Sequence, residues 1–175
     1  MTSDIRYPIG RWDRVAPSDA ATRATAIDAL AAVPHALRQA VAGLTDAQLD
    51  TPYRDGGWSP RQICHHVADS HMNSFIRFKL GLTEDTPTIK PYDENAWAIT
   101  PDVLGQPVEV SLSIVDGVHA RLVALLRVQP ADAFDRGLMH PERGPMTLAQ
   151  VLGLYAWHGA HHVAQITAQR QRNGW

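Results

Sequence analysis

The strongest constraint on the fold is a pair of capping boxes, each opening a long run that meets no further proline. In Ser59-Pro60-Arg61-Gln62 and Thr147-Leu148-Ala149-Gln150, the first hydroxyl can accept from the amide three positions on while the glutamine reaches back, so two orphan N–H groups at a helix start are satisfied reciprocally. Pro60 falls at the first helical position, where its missing N–H costs nothing. The first run continues to Gly81 and predicts a helix over 59–80; the second continues to Asn173-Gly174, a stop signal, and predicts a helix over 147–172. Helical periodicity predicts two more: 18–42, in which Pro34 should introduce a kink, and 108–129, with Leu112, Val115, Leu122, Leu125 and Leu126 on one side. Turn formers fill 83–97 and 140–146, and no sustained period-2 run marks a strand, so strands are not expected. The expectation is an all-α, four-helix bundle forming one domain over 1–175, with a long loop between the second and third long helices.

Charge narrows the classes of partner. Sixteen Lys and Arg against eighteen Asp and Glu leave a net charge of -2, which offers no electrostatic footprint for a nucleic-acid backbone or an anionic membrane. Neither partner is expected. Cys64 is the single cysteine, so no intrachain disulfide can form, and MTSDIRYPIG lacks the basic and apolar regions of a secretory signal. Both features predict a cytoplasmic protein.

Chemistry concentrates in the nine histidines, three of them within WHGAHH at 157–162. On a helical wheel His158 and His162 lie about 40° apart, inside the stripe formed by Leu148, Val151, Tyr155 and Ile166. His161 falls about 60° to the other side, at the stripe's edge, and is expected to be a half-exposed neighbour. The i, i+4 pair sets two imidazoles on successive turns of one inward face, the spacing of helical zinc pairs, and leaves a third ligand to be found. On the earlier helix His66 shares a polar strip with Ser70, Asn73 and Arg77, which reads either as solvent-facing surface or as the wall of an interior cleft. Asp69 has two readings: an acceptor orienting a ligating imidazole, or a surface i, i+4 partner of His65. Cys64 points to the apolar side and is expected to pack.

The segments WSPRQICHHVADSHMNSFIRFKLGLTED at 58–85, TIKPYDENAWA at 88–98 and GLYAWHGAHHVAQI at 153–166, with the closing RQRNGW, resemble the DinB/YfiT-like superfamily of metalloenzymes, and within it the YfiT, bacillithiol transferase-like branch. The resemblance covers most of the chain. It implies a four-helix bundle carrying one divalent ion on three histidines, which here are His66, His158 and His162, with His65, His71 and His161 outside the ligand set. It also implies a homodimer.

Three neutral imidazoles leave a zinc-like ion its full charge and an open position, as in catalytic rather than closed sites. Zinc is the expected metal; nickel is also compatible with an all-nitrogen site. The first histidine of the pair is followed by glycine, so the built-in glutamate base of an HExxH peptidase is missing. A thiol held on the metal would need no base. The expected activity is therefore transfer of a low-molecular-weight, bacillithiol-like thiol to an electrophile, with hydrolysis by water activated at the same ion as the alternative. Asn73, Arg77, Tyr92 and Trp97 are the candidate substrate contacts, Arg77 for a carboxylate.

Overall fold

The structure, a computed structural model, describes residues 4–175. Four long helices make the bundle, joined by short elements: α1 (Ala20–Val41), α2 (Asp46–Leu49), α3 (Pro60–Thr83), α4 (Glu94–Trp97), α5 (Pro101–Gly105), α6 (Val108–Arg127), a 3-10 turn (Ala131–Asp135), strands β1 (Gly137–His140) and β2 (Gly144–Thr147), and α7 (Leu148–Asn173). Both predicted capping boxes are present: the Ser59 side chain accepts from the Gln62 amide and that of Thr147 from the Gln150 amide. Gly174 ends α7 at φ 68°, the left-handed conformation that glycine adopts without a Cβ penalty. Among the described residues no helix is long and apolar enough to cross a membrane.

One feature differs from expectation. The region before α7 forms an antiparallel hairpin with Gly137 opposite Thr147 and His140 opposite Gly144. Each strand has only four residues, too few for a period-2 pattern to register. The hairpin pins the long loop: the amide of Ile89 donates to the Met139 carbonyl at 3.0 Å and that of Met139 to the Pro87 carbonyl at 2.9 Å. That loop itself carries two helical turns, α4 and α5. Helix α1 continues through Pro34 as one element, although that residue has no N–H to give the carbonyl of Leu30, four residues back.

The core falls into two apolar clusters. One gathers Leu30, Phe78, Leu122, Leu126, Leu152 and Tyr155; the other gathers Val33, Leu37, Ile63, Val67, Val115 and Ile166. On α3 the clusters are separated by His71, on α6 by His119 and on α7 by His158 and His162. A layer of imidazoles thus crosses the bundle between two hydrocarbon layers. Burying polar rings there is tolerable only where each finds a hydrogen-bond partner.

Candidate metal centre

Helices α3 and α7 pack together and bring His66 against the His158–His162 pair. The Nε2 atoms of His66 and His158 lie 3.1 Å apart and those of His162 and His158 3.2 Å apart. A nitrogen from each of the three rings falls within 4.8 Å of the others. Two nitrogens bound tetrahedrally at about 2.0–2.1 Å from one ion would sit about 3.3 Å apart, so the spacing suits a single divalent ion. Burial holds the rings neutral: His66 is pushed down to about 4, and His158 and His162 lie well below the ordinary imidazole range, the other rings adding to the effect. Their lone pairs are thereby available for ligation.

Each α7 ring is oriented from behind. The Nδ1 of His162 lies 2.8 Å from Oε1 of Gln165, whose Nε2 donates to the Arg6 carbonyl at 3.1 Å. Because that carbonyl can only accept, the glutamine turns its oxygen to His162, whose Nδ1 must carry the proton. The Nε2 lone pair is left facing the other two rings. Behind His158 stands a longer file: His158 Nδ1 to His71 Nε2 at 3.1 Å, His71 Nδ1 to His119 Nε2 at 2.9 Å, and His119 Nδ1 to the Leu30 carbonyl at 2.7 Å. Trp58 covers the third ring, its centroid 4.6 Å from that of His66.

The three Nε2 atoms face a cavity of about 390 Å³. Tyr7, Trp58, Trp157 and His161 line it together with Tyr92, Tyr155, His140, Arg77 and Arg143, and Glu94 and Glu142 also contribute. Arg77 donates from Nη1 to the Tyr155 hydroxyl at 2.8 Å, while its Nε is buried without a partner. Burial pushes the Tyr92 phenol up to about 12, so it stays a proton donor.

Of the expected substrate contacts, Arg77 and Tyr92 border this cavity. Asn73 does not: its amide donates to the Asp69 carbonyl one turn back on its own helix at 2.9 Å. Trp97 stacks on Tyr92 at 4.3 Å and is 40% exposed, backing the cavity wall rather than facing the site. Asp69 fits neither of its two readings. Its carboxylate hydrogen-bonds no histidine among the described residues, because His65 turns inward to Ser111 Oγ at 2.7 Å and the Gln106 carbonyl at 3.3 Å, and Gln165 and His71 take the orienting positions. Burial, with Asp102 nearby, instead raises the Asp69 carboxyl to about 6. His161 is buried rather than half-exposed, stacked on Trp157 at 4.5 Å. Cys64 is buried, and burial lifts its thiol to about 12, as expected of a packing residue.

His71, His119 and Gln165 were not singled out by sequence reasoning as partners of the metal ligands. His71 had a visible signal, falling about 140° round α3 from His66, within the apolar arc and so aimed at the interior. His119 meets His71 from 48 positions away in the chain, which helical periodicity cannot reach, whereas Gln165 follows His162 by three residues on α7, a local i, i+3 spacing that could have revealed it.

The profile of the DinB superfamily matches residues 29–166. The chain belongs to the DinB superfamily. It is 49% identical over 177 residues to the Bacillus subtilis protein named "Putative metal-dependent hydrolase YfiT", covering 100% of this chain and 99% of that one. It is 50% identical over 173 residues, 99% of each chain, to a protein of Bacillus cereus strain G9842 that carries the same functional name. The solved structure of Bacillus subtilis YfiT, described as having an unusual four-helix bundle topology, superposes with a TM-score of 0.94 at 48% identity over 98% of both chains. A second four-helix bundle protein, 21% identical, matches with a TM-score of 0.59 over 83% of this chain and 98% of its own. In this DinB superfamily member the predicted bundle is therefore shared with solved relatives.

Proposed function

We propose that this chain is a metal-dependent hydrolase in which His66, His158 and His162 hold one divalent ion, zinc in the first instance, in the cavity they line. The observation that carries this reading is the convergence of three Nε2 atoms, at spacings suited to one ion, on a cavity that leaves their far side open. The names of close relatives support hydrolysis in particular. When bound, such an ion would supply Lewis acidity, bringing coordinated water to a pKa of about 7 or a coordinated thiol below its usual pKa of about 8.5.

The protein's own residues would do the rest. Trp58, Tyr7 and Trp157 wall the cavity and limit bulk water. The guanidinium of Arg77, with a free buried Nε and no carboxylate partner among the described residues, suits a carboxylate or phosphate group at the other end of a small substrate. Tyr92 can donate to the same group.

A second reading, transfer of a low-molecular-weight thiol to an electrophile, is favoured by one observation. Glycine follows His158 where an HExxH peptidase carries its glutamate base, and a thiol ionised by the metal needs no such base. The deciding experiment incubates zinc-loaded protein with a chromogenic ester and, in parallel, with an activated alkene to which a thiol can add, each with and without added thiol, and weighs the products. A water-derived product whose formation thiol suppresses supports hydrolysis. A thioether adduct that saturates with thiol would replace it with transfer. Loss of stoichiometric zinc from His66→Ala, His158→Ala and His162→Ala, but not from His161→Ala, is expected under both readings.

A further inference from the structure

The file of rings behind His158 has a direction, and the direction begins at a proline. A backbone carbonyl can only accept a hydrogen bond, so the contact between His119 Nδ1 and the Leu30 oxygen at 2.7 Å requires the proton to sit on His119 Nδ1. A neutral His119 then has only a lone pair at Nε2, and that atom, 2.9 Å from His71 Nδ1, must accept. The proton of His71 is thus on Nδ1. Its Nε2 in turn accepts at 3.1 Å from His158 Nδ1, which leaves His158 with a bare Nε2 facing His66 and His162. Neutrality of the file follows from its surroundings: His71 and His119 are 0% and 1% exposed, and no carboxylate hydrogen-bonds any of the three rings among the described residues.

The Leu30 oxygen is available because of Pro34. In an unbroken helix the N–H four residues later would occupy that carbonyl, and Pro34 has none. The helical interior is an expensive place for proline, and here it releases an acceptor at the point where the file ends. We propose that Pro34, Leu30, His119 and His71 are a positioning relay that fixes the Nδ1–H tautomer of His158 and so presents its Nε2 lone pair to the metal. His71 and His119 touch neither the ion nor the substrate; they act through His158. Gln165, held by the Arg6 carbonyl, does the same for His162 in a single step. This inference rests on the assignment of His158 as a metal ligand, and its test separates the two.

The first measurement is long-range proton–nitrogen NMR on the metal-free, histidine-labelled protein, which reads which nitrogen of each ring is protonated without any metal. The expected result is Nδ1–H for His119, His71 and His158. A wild-type His158 protonated on Nε2 would overturn the relay, whereas failure of the wild type to bind zinc with these tautomers in place would overturn only the metal reading.

The second measurement compares zinc affinities by chelator competition. His119→Leu, which fills the space but cannot accept, should lower affinity about 10- to 100-fold and allow His158 to populate the Nε2–H form. His119→Gln, whose amide can both donate and accept, should recover most of the loss. Wild-type affinity and tautomers in a folded His119→Leu protein would refute the proposal. Should that variant not fold, Pro34→Ala serves instead: it returns an N–H to compete for the Leu30 carbonyl, so the His119 Nδ1 proton should move upfield, and an unmoved resonance would remove the proline from the relay.

Discussion

Acid should unfold the metal-free protein at a pH where most helical bundles are still stable. Burial pushes His66 and His161 down to about 4 and keeps His71, His158 and His162 well below the ordinary value of 6.5. In the unfolded chain the same rings take up protons as the pH falls through about 6.5. Between that pH and the folded-state values the unfolded chain binds more protons, so each such ring lowers stability by about 1.4 kcal/mol per pH unit as the solution is acidified. For His66 alone, a drop from 6.5 to about 4 amounts to about 3 kcal/mol, a substantial part of the roughly 5–15 kcal/mol that holds a domain together. The rings share one layer and their contributions do not add, yet even two of them would remove about 4 kcal/mol by about pH 5, most of the stability of a domain at the lower end of that range. Urea unfolding followed by circular dichroism, in the presence of a chelator, should give midpoints that are level above about pH 7 and fall steadily between about pH 6.5 and about pH 4.5. Bound zinc should move that fall to lower pH, since protons must then displace the ion. A midpoint that stays level between about pH 7 and about pH 5 in chelator would refute the claim that these rings are buried and neutral.

Three further outcomes are expected. Ser59→Ala should cost about 1 kcal/mol in thermal melts, because the hydroxyl caps the helix that carries His66. Gly159→Ala should cost about 1–3 kcal/mol and lower zinc occupancy, since a Cβ at Gly159 would collide with the Cγ2 of Val33 and push α7 off α1; calorimetry and metal analysis on the same sample read both effects. Arg77→Ala should raise KM for an anionic substrate while leaving that for a neutral analogue unchanged, the behaviour of a ground-state contact.

What could be read from the sequence divides along a physical line. The four long helices and the ligand trio are carried by local signals: capping boxes at Ser59 and Thr147, a period of 3.6, an i, i+4 pair, and a family motif that adds His66. What could not be read depends on residues far apart in the chain. His65 sits on the side of α3 that its wheel position suggested was exposed, but α6 supplies Ser111 and the α5–α6 turn supplies the Gln106 carbonyl. Asp69 meets no imidazole among the described residues; of the groups that do orient the α7 rings, His71 reaches His158 across 87 positions, whereas Gln165 reaches His162 within one turn. Pro34 was visible as a break in a pattern, but its use was not, because the ring that takes up the freed carbonyl is His119, 89 positions away from Leu30.

The long reach of these contacts also bears on the order in which the site is built. The bonds that complete it span 159 positions from Arg6 to Gln165, 92 from His66 to His158 and 87 from His71 to His158. Closing such loops carries an entropic cost that local helix formation does not, and contacts of this separation form late in folding. His158 and His162, by contrast, become neighbours as soon as one turn of α7 exists. An ion that arrives early meets a two-pronged grip on a single helix, and the docking of α3 adds the third nitrogen. The ion can thus serve as a template that draws the last helix onto the bundle before it serves as a reagent.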